Sequence, residues 1–498
     1  MRRLSSILKV ASVTLLLLFV CLLAHAASGT VIPPNEIWYT SSDGSVVRPR
    51  PQAFNQGIVS NTYRDGRGVI VFDGEVDILG ASAFNGCENL ESIHLPEGVR
   101  KLETRAFMNC TALKGIVLPS GLQYIKTLVF YECGNLAEID LPGSLLLIDG
   151  NAFQSCSSLK RIIVPDGVQS IDQSAFRYCV SLEEVHLPSR LGKISSCLFD
   201  GCRKLKTVEL PSTATSIGEY AFRDCELLVG ITIPAKMDYI GRGAFAGCRN
   251  LSHFEGPFAS EGGRCLIKGG SFLAVAPAGI TRFVIPDGVT YIKRSSFQDC
   301  GLIEEIVLPE GVTDIDDGAF AGCVSLESIS IPASVTDIGE GVFEGCEKLR
   351  TFRGTLVGNE ARGLVLGGKL LAVALDGLTE YIVPEGVRSM VPGVFKNCRD
   401  LERVVLPSSL KSISAHAFEG CYSLDDVIIP PSVTSIRADA FKDCESLGRI
   451  TLESSVPPEL KCQLEYVEEI FVPRKALKEY KSAPGWMGYF DIMKPADQ

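Results

Sequence analysis

The sequence predicts a solenoid, mostly β with short helical turns, whose strands stack as a parallel ladder closed by N- and C-terminal caps. Three observations carry this. Cysteine recurs every 23 residues at Cys87, Cys110, Cys133, Cys156, Cys179, Cys202, Cys225 and Cys248, then at Cys300, Cys323 and Cys346, and again at Cys398, Cys421 and Cys444. Phenylalanine always stands three residues before that cysteine, and leucine three residues after it, with Ile303 the one departure in fourteen copies. Isoleucine or an equivalent stands eight residues before it, as at Ile125, Ile171, Ile217 and Ile436. A fixed period of this length means one small unit repeated and stacked.

The repeat explains its own pieces. In the stretch from Leu90 to Leu113, the segment Ile93-His94-Leu95-Pro96 alternates apolar and polar residues, as a short strand with one inward face does. Proline has no N–H to donate, so it ends the pairing and turns the corner. The A-F-x-x-C segment is too short for a full helix and reads as one helical turn. No single unit can bury its Phe, Leu, Ile and Cys, whereas stacked units bury them as continuous columns.

In chain order, residues 1–27 read as a signal peptide. Arg2, Arg3 and Lys9 precede an apolar run from Val10 to Leu23, and Ala24-His25-Ala26 supplies small residues for cleavage. Lipid attachment at Cys21 is the alternative, with Val20 before it larger than that processing prefers. Residues 28–68 form the N-terminal cap, with Asp43-Gly44 and Asp65-Gly66 as hairpin signals between β-prone runs. The solenoid covers 69–452, opening on Val69 to Leu79 with Asp73 in the proline slot. It is interrupted near 258–283 and 356–381, where Gly269-Gly270 and Gly367-Gly368 each sit between β-prone runs and predict inserted hairpins. Residues 453–498 form the C-terminal cap: a strand at Ile470-Phe471-Val472-Pro473, a short helix over Lys475 to Tyr480, and Trp486, Tyr489 and Phe490 to plug the open end.

Composition narrows the classes of function. The 498 residues carry a formal charge of -11, and removing Arg2, Arg3 and Lys9 with the leader takes it to -14. An acidic body repels phosphate backbones, so nucleic acid is not an expected partner. After the leader no apolar run is long enough to span a bilayer, so the mature chain is expected to carry no transmembrane span and to be secreted or held at the cell surface. Of eighteen cysteines, fourteen occupy one repeat slot. Free cysteine packs as a small hydrophobe, so a reduced buried column is the favoured reading. Neighbouring turns also bring these residues within bridging distance, which leaves disulfides open.

With the repeat in view, the chain resembles the BspA-like leucine-rich repeat proteins of bacterial surfaces, also called LRR_5-type. Their pattern L-x-x-I-x-(I/L)-P-x-x-V-x-x-I-x-x-x-A-F-x-x-C is matched by Leu159 to Cys179, and the resemblance covers residues 69 to 452. It implies a leucine-rich repeat solenoid and an exported surface or adhesion protein. The partner it implies is a protein or glycan, with host extracellular matrix among the possibilities.

No catalytic, cofactor or metal signature stands out. His94 and His186 share a repeat slot four turns apart, beyond reach of one ion. Asp314-Ile315-Asp316-Asp317-Gly318 hints at calcium, yet Ile315 fills a core slot. Sequences such as H-E-x-x-H, C-x-x-C and G-x-S-x-G are missing. What remains for function is the outward side of the strand ladder. The partner-facing candidates are His94, Val117, Asp140, Ile163, His186, Glu209 and Thr232, with Val405 and Ile428 as further outward apolar residues. These positions vary between copies while the buried slots do not, as expected where packing does not dictate them. A binding protein is the first reading. A self-assembling surface protein is the second. A polysaccharide-acting enzyme using Glu138 and Asp140 is weaker, since two carboxylates side by side on one strand do not face each other across a cleft.

Overall fold

The computed structural model of the protein describes residues 32–354, 356 and 361–496. The signal peptide of residues 1–27 and the Cys21 alternative lie outside the described residues. Two compact units divide the chain, Met1–Ser157 and Ser158–Gln498. Each is a β-solenoid of parallel strands with almost no helix.

In the first unit the cap is an antiparallel sheet added to the parallel one. Strand Glu36–Ser41 pairs antiparallel with Leu90–His94 on one side and with Arg67–Phe72 on the other. Arg67–Phe72 in turn pairs with Ile58–Arg64 through the turn at Asp65-Gly66. Both turn residues are left-handed, with φ of 51° and 78°, as the hairpin signal requires. Val69 to Phe72, which opens the repeat by phase, therefore hydrogen-bonds antiparallel, while its continuation Ile78–Leu79 enters the parallel stack. Gly68 is demanded by packing, because a Cβ there would lie 2.0 Å from Cζ of Tyr39. Asp43-Gly44 forms a turn without a hairpin. Its carboxylate instead accepts hydrogen bonds from Ser41 Oγ (2.6 Å), Ser45 N (2.9 Å) and Asn89 Nδ2 (3.2 Å), tying the turn to the first repeat.

Two parallel ladders follow from the repeat. The longer strands carry the I-x-L-P segment: Leu90–His94 and Gly115–Val117 align with Ser92 opposite Gly115, Ile93 opposite Ile116 and His94 opposite Val117. The second ladder is made of two-residue strands around the isoleucine slot, with Leu79, Leu102, Ile125 and Ile148 in register. Between the ladders the phenylalanines stack. Phe84 and Phe107 lie 5.3 Å apart and Phe107 and Phe130 lie 5.5 Å apart, with rings within 7° of parallel. Phe54 of the cap packs edge-on against Phe84 at 5.9 Å, closing the stack with the same chemistry that builds it.

The A-F-x-x-C segment is not helical, which corrects the expected helical turns. In every copy the residues five and one before the cysteine are left-handed, as at Arg105 and Asn109 (φ 61° and 59°), Leu128 and Glu132 (60° and 59°), and Gly318 and Gly322 (58° and 72°). Two such residues four apart break a right-handed helix. The N–H groups freed by this turn point along the stack and reach the next copy: Arg105 N to Thr127 O (3.0 Å), Phe107 N to Val129 O (2.9 Å), Asn109 N to Tyr131 O (2.8 Å). The segment is a third hydrogen-bonded column.

The second unit repeats this plan with two interruptions. Cys265–Lys268 and Ser271–Val275 form one hairpin, Gly363–Leu366 and Lys369–Val373 the other, each turning on its Gly-Gly pair. The returning strand of each rejoins the second ladder, Phe272 in register with Ile292 and Leu370 with Met390. The hairpins therefore replace a second-ladder strand, and the long-strand ladder restarts after each, at Arg282–Val284 and Glu380–Ile382. The carbonyls left at the first break are met by lysines: Lys268 Nζ lies 3.1 Å from Asp238 O, and Lys293 Nζ lies 3.0 Å from Ile240 O.

At the C-terminus the parallel ladder continues through Arg449–Leu452 and Glu469–Pro473 to Met493–Ala496, one strand beyond what the sequence predicts. The helix is Leu477–Ser482. Trp486 and Tyr480 are fully buried, Trp486 Nε1 donating to Pro458 O (2.7 Å) and Tyr480 OH to Ser454 O (3.0 Å). Phe490, expected in the plug, is exposed.

Candidate interaction face

Strand alternation puts the I-x-L isoleucine inward and its two neighbours outward. In the first unit, Ile93, Ile116 and Ile139 are buried, while His94 and Val117 are half-buried and Asp140 is exposed. His94 is the more enclosed because the cap strand pairs alongside it, Trp38 opposite His94. Residues 138–140 form no strand, which corrects the expected regular ladder there. Ile139 still points inward, and nothing local in the sequence explains the missing pairing.

In the second unit, Ile163 and His186 stand side by side in register, flanked by Arg161 and Glu184. Arg161 Nε lies 3.3 Å from Glu184 Oε2, and the other oxygen of Glu184 is 2.8 Å from His186 Nε2. Glu209 falls just past the strand Thr207–Val208, and Thr232 Oγ1 donates to Glu255 Oε2 (2.9 Å). Ile163, His186, Glu209 and Thr232 are all exposed. The Arg161–Glu184 pair between turns and the Glu184–His186 contact within one strand are both open to water, so they contribute little to stability.

Further along, the same outward column becomes apolar. Val284 pairs in register with Val307, and Ile382 with Val405. Ile382 is 54% exposed, Val405 37% and Ile428 51%, on three consecutive turns. Beside them runs a column of alternating sign: Glu380, Arg403, Asp426, Arg449 and Glu469. Glu380 and Arg403 approach to 3.3 Å, and Arg449 and Glu469 to 3.5 Å. Four of these five charges are paired, Asp426 having no ion pair among the described residues, and the aliphatic stripe runs beside them. Val405 and Ile428 were legible in the sequence. Ile382 and Val284 were missed, though carrying the same repeat slot through the later turns exposes them.

A second feature lies on the turn column. Asp200 is a fully buried carboxylate held between Arg177 (2.7 Å) and Arg223 (2.8 Å), residues at the same slot of consecutive turns. Lys396, Glu419 and Lys442 repeat this plus-minus-plus order, at 3.4 and 4.0 Å. Sequence reasoning overlooked both triads, although charges of opposite sign 23 residues apart announce them.

Among the described residues, no group of three or more His, Cys, Asp or Glu could hold a metal ion. No helix of the described residues is long and apolar enough to cross a membrane.

The profile of the BspA type leucine rich repeat region matches residues 69–183, 147–261, 274–355 and 374–459. No curated protein matches the chain. Among solved structures, a leucine-rich repeat protein from Bacteroides ovatus is 26% identical over 94% of this chain and 100% of its own, with a TM-score of 0.39. A leucine rich cell surface protein from Faecalibacterium prausnitzii is 23% identical over 89% of this chain and 87% of its own, with a TM-score of 0.37. A leucine-rich repeat protein from Eubacterium ventriosum is 22% identical over 71% and 89%, with a TM-score of 0.49. With the family profile covering most of the chain and the 23-residue repeat folded as stacked parallel turns, the protein belongs to the BspA type leucine-rich repeat family.

Proposed function

We propose that this is an exported, non-enzymatic binding protein of the cell surface or medium, attaching to a protein or glycan partner through the outward columns of its strand ladders. The observation that carries this is the run of exposed aliphatics Ile382, Val405 and Ile428 on consecutive turns, flanked by the Glu380–Arg403 ion pair. Water-exposed apolar side chains aligned on a rigid surface cost solubility unless something covers them. Within the same reading, His94, Val117 and Asp140 in the first unit and Ile163, His186, Glu209 and Thr232 in the second supply polar, turn-to-turn variation suited to selecting a partner. The leader of residues 1–27 supports export, and the family supports a binding scaffold.

The test is binding of the chain from Ser28 to Gln498 to a panel of extracellular matrix proteins and glycans. Binding should weaken at least about tenfold when Ile382, Val405 and Ile428 are changed together to serine, or when Ile163, His186 and Glu209 are changed together to alanine, with the fold intact by circular dichroism. A partner whose affinity ignores both changes would overturn the strand-face assignment. Silence across the panel, with ordered arrays of the purified chain by electron microscopy, would replace it with self-assembly.

A further inference from the structure

The third column of hydrogen bonds is broken at the second interruption. In the turn before it, Gly318, Phe320 and Gly322 donate their N–H groups to the carbonyls of Glu340, Val342 and Glu344, at 3.0, 3.0 and 2.7 Å. In the turn after it, Gly393, Phe395 and Asn397 donate to Ala415, Ala417 and Glu419, at 3.0, 3.0 and 2.7 Å. Between these two turns the pattern calls for Gly341, Phe343 and Gly345 to donate to Pro392, Val394 and Lys396. Among the described residues none of those six groups has a backbone partner. The hydrophobic core divides at the same place, with Leu364 and Ala374 in one cluster and Leu370 and Val373 in the other.

A cavity of about 760 Å³ separates the two walls, within the ~300–1,000 Å³ typical of a ligand site. One wall presents three N–H donors on alternate residues and the other three C=O acceptors on alternate residues. The lining between them is partly apolar, from Phe343, Leu371 and Leu375. A polypeptide backbone carries both donors and acceptors at this spacing, and in uninterrupted turns such as 318–322 and 393–397 that backbone is the next repeat. The first interruption leaves the same column unpaired among the described residues at Gly243, Phe245 and Gly247, and there the Gln298 side chain reaches across, its Oε1 3.2 Å from where a Cβ on Gly243 would lie.

Charge selects the side chains. At the slot that holds Asp200 between two arginines and Glu419 between two lysines, the donor wall carries Glu344, exposed and with no ion pair among the described residues. Glu340, Glu347 and Asp400 add acidity at the rim, against Lys396 and Arg399. Lys396 is already paired with Glu419.

We infer that this cleft holds a short basic peptide segment of a partner protein, hydrogen-bonded through its backbone to both walls as a substitute turn, with a lysine or arginine on Glu344. The site is distinct from the strand face, and serine at Ile382, Val405 and Ile428 leaves it intact, so either assignment can fail without the other.

The experiment uses the chain from Ser28 to Gln498 and three capped synthetic hexapeptides: alternating Lys-Val, alternating Glu-Val, and Lys-Val with alternate amides N-methylated. Backbone amide exchange is followed over residues 340–346, with 317–323 as the internal reference, and affinity is read by fluorescence anisotropy. The amides of Gly341, Phe343 and Gly345 should exchange faster than those of Gly318, Phe320 and Gly322, and slow when the Lys-Val peptide is added. The N-methylated peptide, lacking donors for the acceptor wall, should not bind. Glu344→Lys should weaken the Lys-Val peptide by about tenfold, the scale of losing one charge-assisted bond, without moving the thermal midpoint. Three outcomes overturn the proposal. The three amides may prove as protected as their references in the free chain, meaning that another part of the protein or a second copy fills the cleft. The Glu-Val peptide may bind as well as the Lys-Val peptide. The Lys-Val peptide may leave exchange over 340–346 unchanged.

Discussion

The thiol of Cys133 donates a hydrogen bond to the carbonyl oxygen of Phe107, 3.1 Å away in the preceding turn. The same bond joins Cys110 to Phe84 (3.1 Å), Cys202 to Phe176 (3.1 Å), Cys248 to Phe222 (3.0 Å) and Cys444 to Phe418 (3.1 Å). The slot requires a side chain small and apolar enough to be buried yet able to donate once, and cysteine meets both conditions. Cys133→Ala leaves the Phe107 carbonyl with the Cys110 N–H alone (3.2 Å) and opens a small void, and should cost about 1–2 kcal/mol. Cys133→Ser keeps a donor and should recover part of that loss. Urea midpoints of the two variants decide it. Equal midpoints for alanine and the native residue would show that the bond contributes nothing.

Burial also fixes how the stack responds to alkali. Cys110, Cys133, Cys323 and Cys346 carry free thiols, and desolvation raises all of them, Cys133 and Cys346 to about 12. An unfolded thiol ionises at about 8.5. Between those values the unfolded chain has released protons that the folded chain keeps, so stability falls as pH rises. The contribution is fully present below about pH 8.5 and lost as pH climbs through about 12. Thermal midpoints should drop steeply from pH 9 upward, and less steeply when several stack cysteines are serine. A flat midpoint from pH 8 to pH 11 would contradict this. At pH 8, iodoacetamide should reach half-buried Cys197 and Cys462 before the stack cysteines.

Glu132 sits in a left-handed conformation (φ 59°) at a slot where Gly86, Gly201, Gly247, Gly322, Gly345 and Gly420 stand in other copies. Its side chain is exposed, so little is lost by removing it. Relief of the steric penalty, offset by glycine's extra freedom in the unfolded chain, should make Glu132→Gly neutral to about 1 kcal/mol stabilising. A right-handed helical turn at this segment would predict the opposite sign, so the urea midpoint of this single variant also tests the turn geometry.

Slots that repeat unchanged were legible in the sequence because the same burial constrains every copy. Phe107, Cys110, Leu113 and Ile125 are each completely enclosed, as the period implies. The Gly-Gly hairpins and the one at Asp65-Gly66 were legible for a different reason, since two consecutive left-handed residues admit few other sequences, whereas Asp43-Gly44, with only its glycine left-handed, makes a turn and no hairpin. The turn at A-F-x-x-C was misread as helical because its conformation depends on N–H groups bonding to the next copy, a contact between residues 22 apart that no local pattern displays. The outward face was only partly legible. Val405 and Ile428 announce themselves as apolar residues at polar positions, whereas the pairing of Arg177, Asp200 and Arg223 becomes visible only when equivalent slots are read down the stack.

That triad carries the last prediction. Asp200 has no exposed side-chain surface, and its two oxygens accept from Arg177 Nε, Arg223 Nε and Arg223 Nη2 at 2.7 to 2.8 Å. Arg223 rests over Tyr220 at 4.8 Å, and hydrogen bonding to Asp200 raises its pKa. Removing the carboxylate with Asp200→Ala leaves two guanidinium groups on either side of a void, where their mutual repulsion has no counter-ion. Breaking a buried pair in this way costs about 3–5 kcal/mol, and the partial exposure of both arginines puts the expectation near the lower end. Changing Arg177, Asp200 and Arg223 together to leucine removes the charges as well as the partner, and should be nearly neutral because packing replaces desolvated ions. The comparison of single and triple variants by urea denaturation separates the two causes. If the triple variant is as unstable as Asp200→Ala, the loss comes from the void and the lost packing, and the ion triad does not set the stability of these turns.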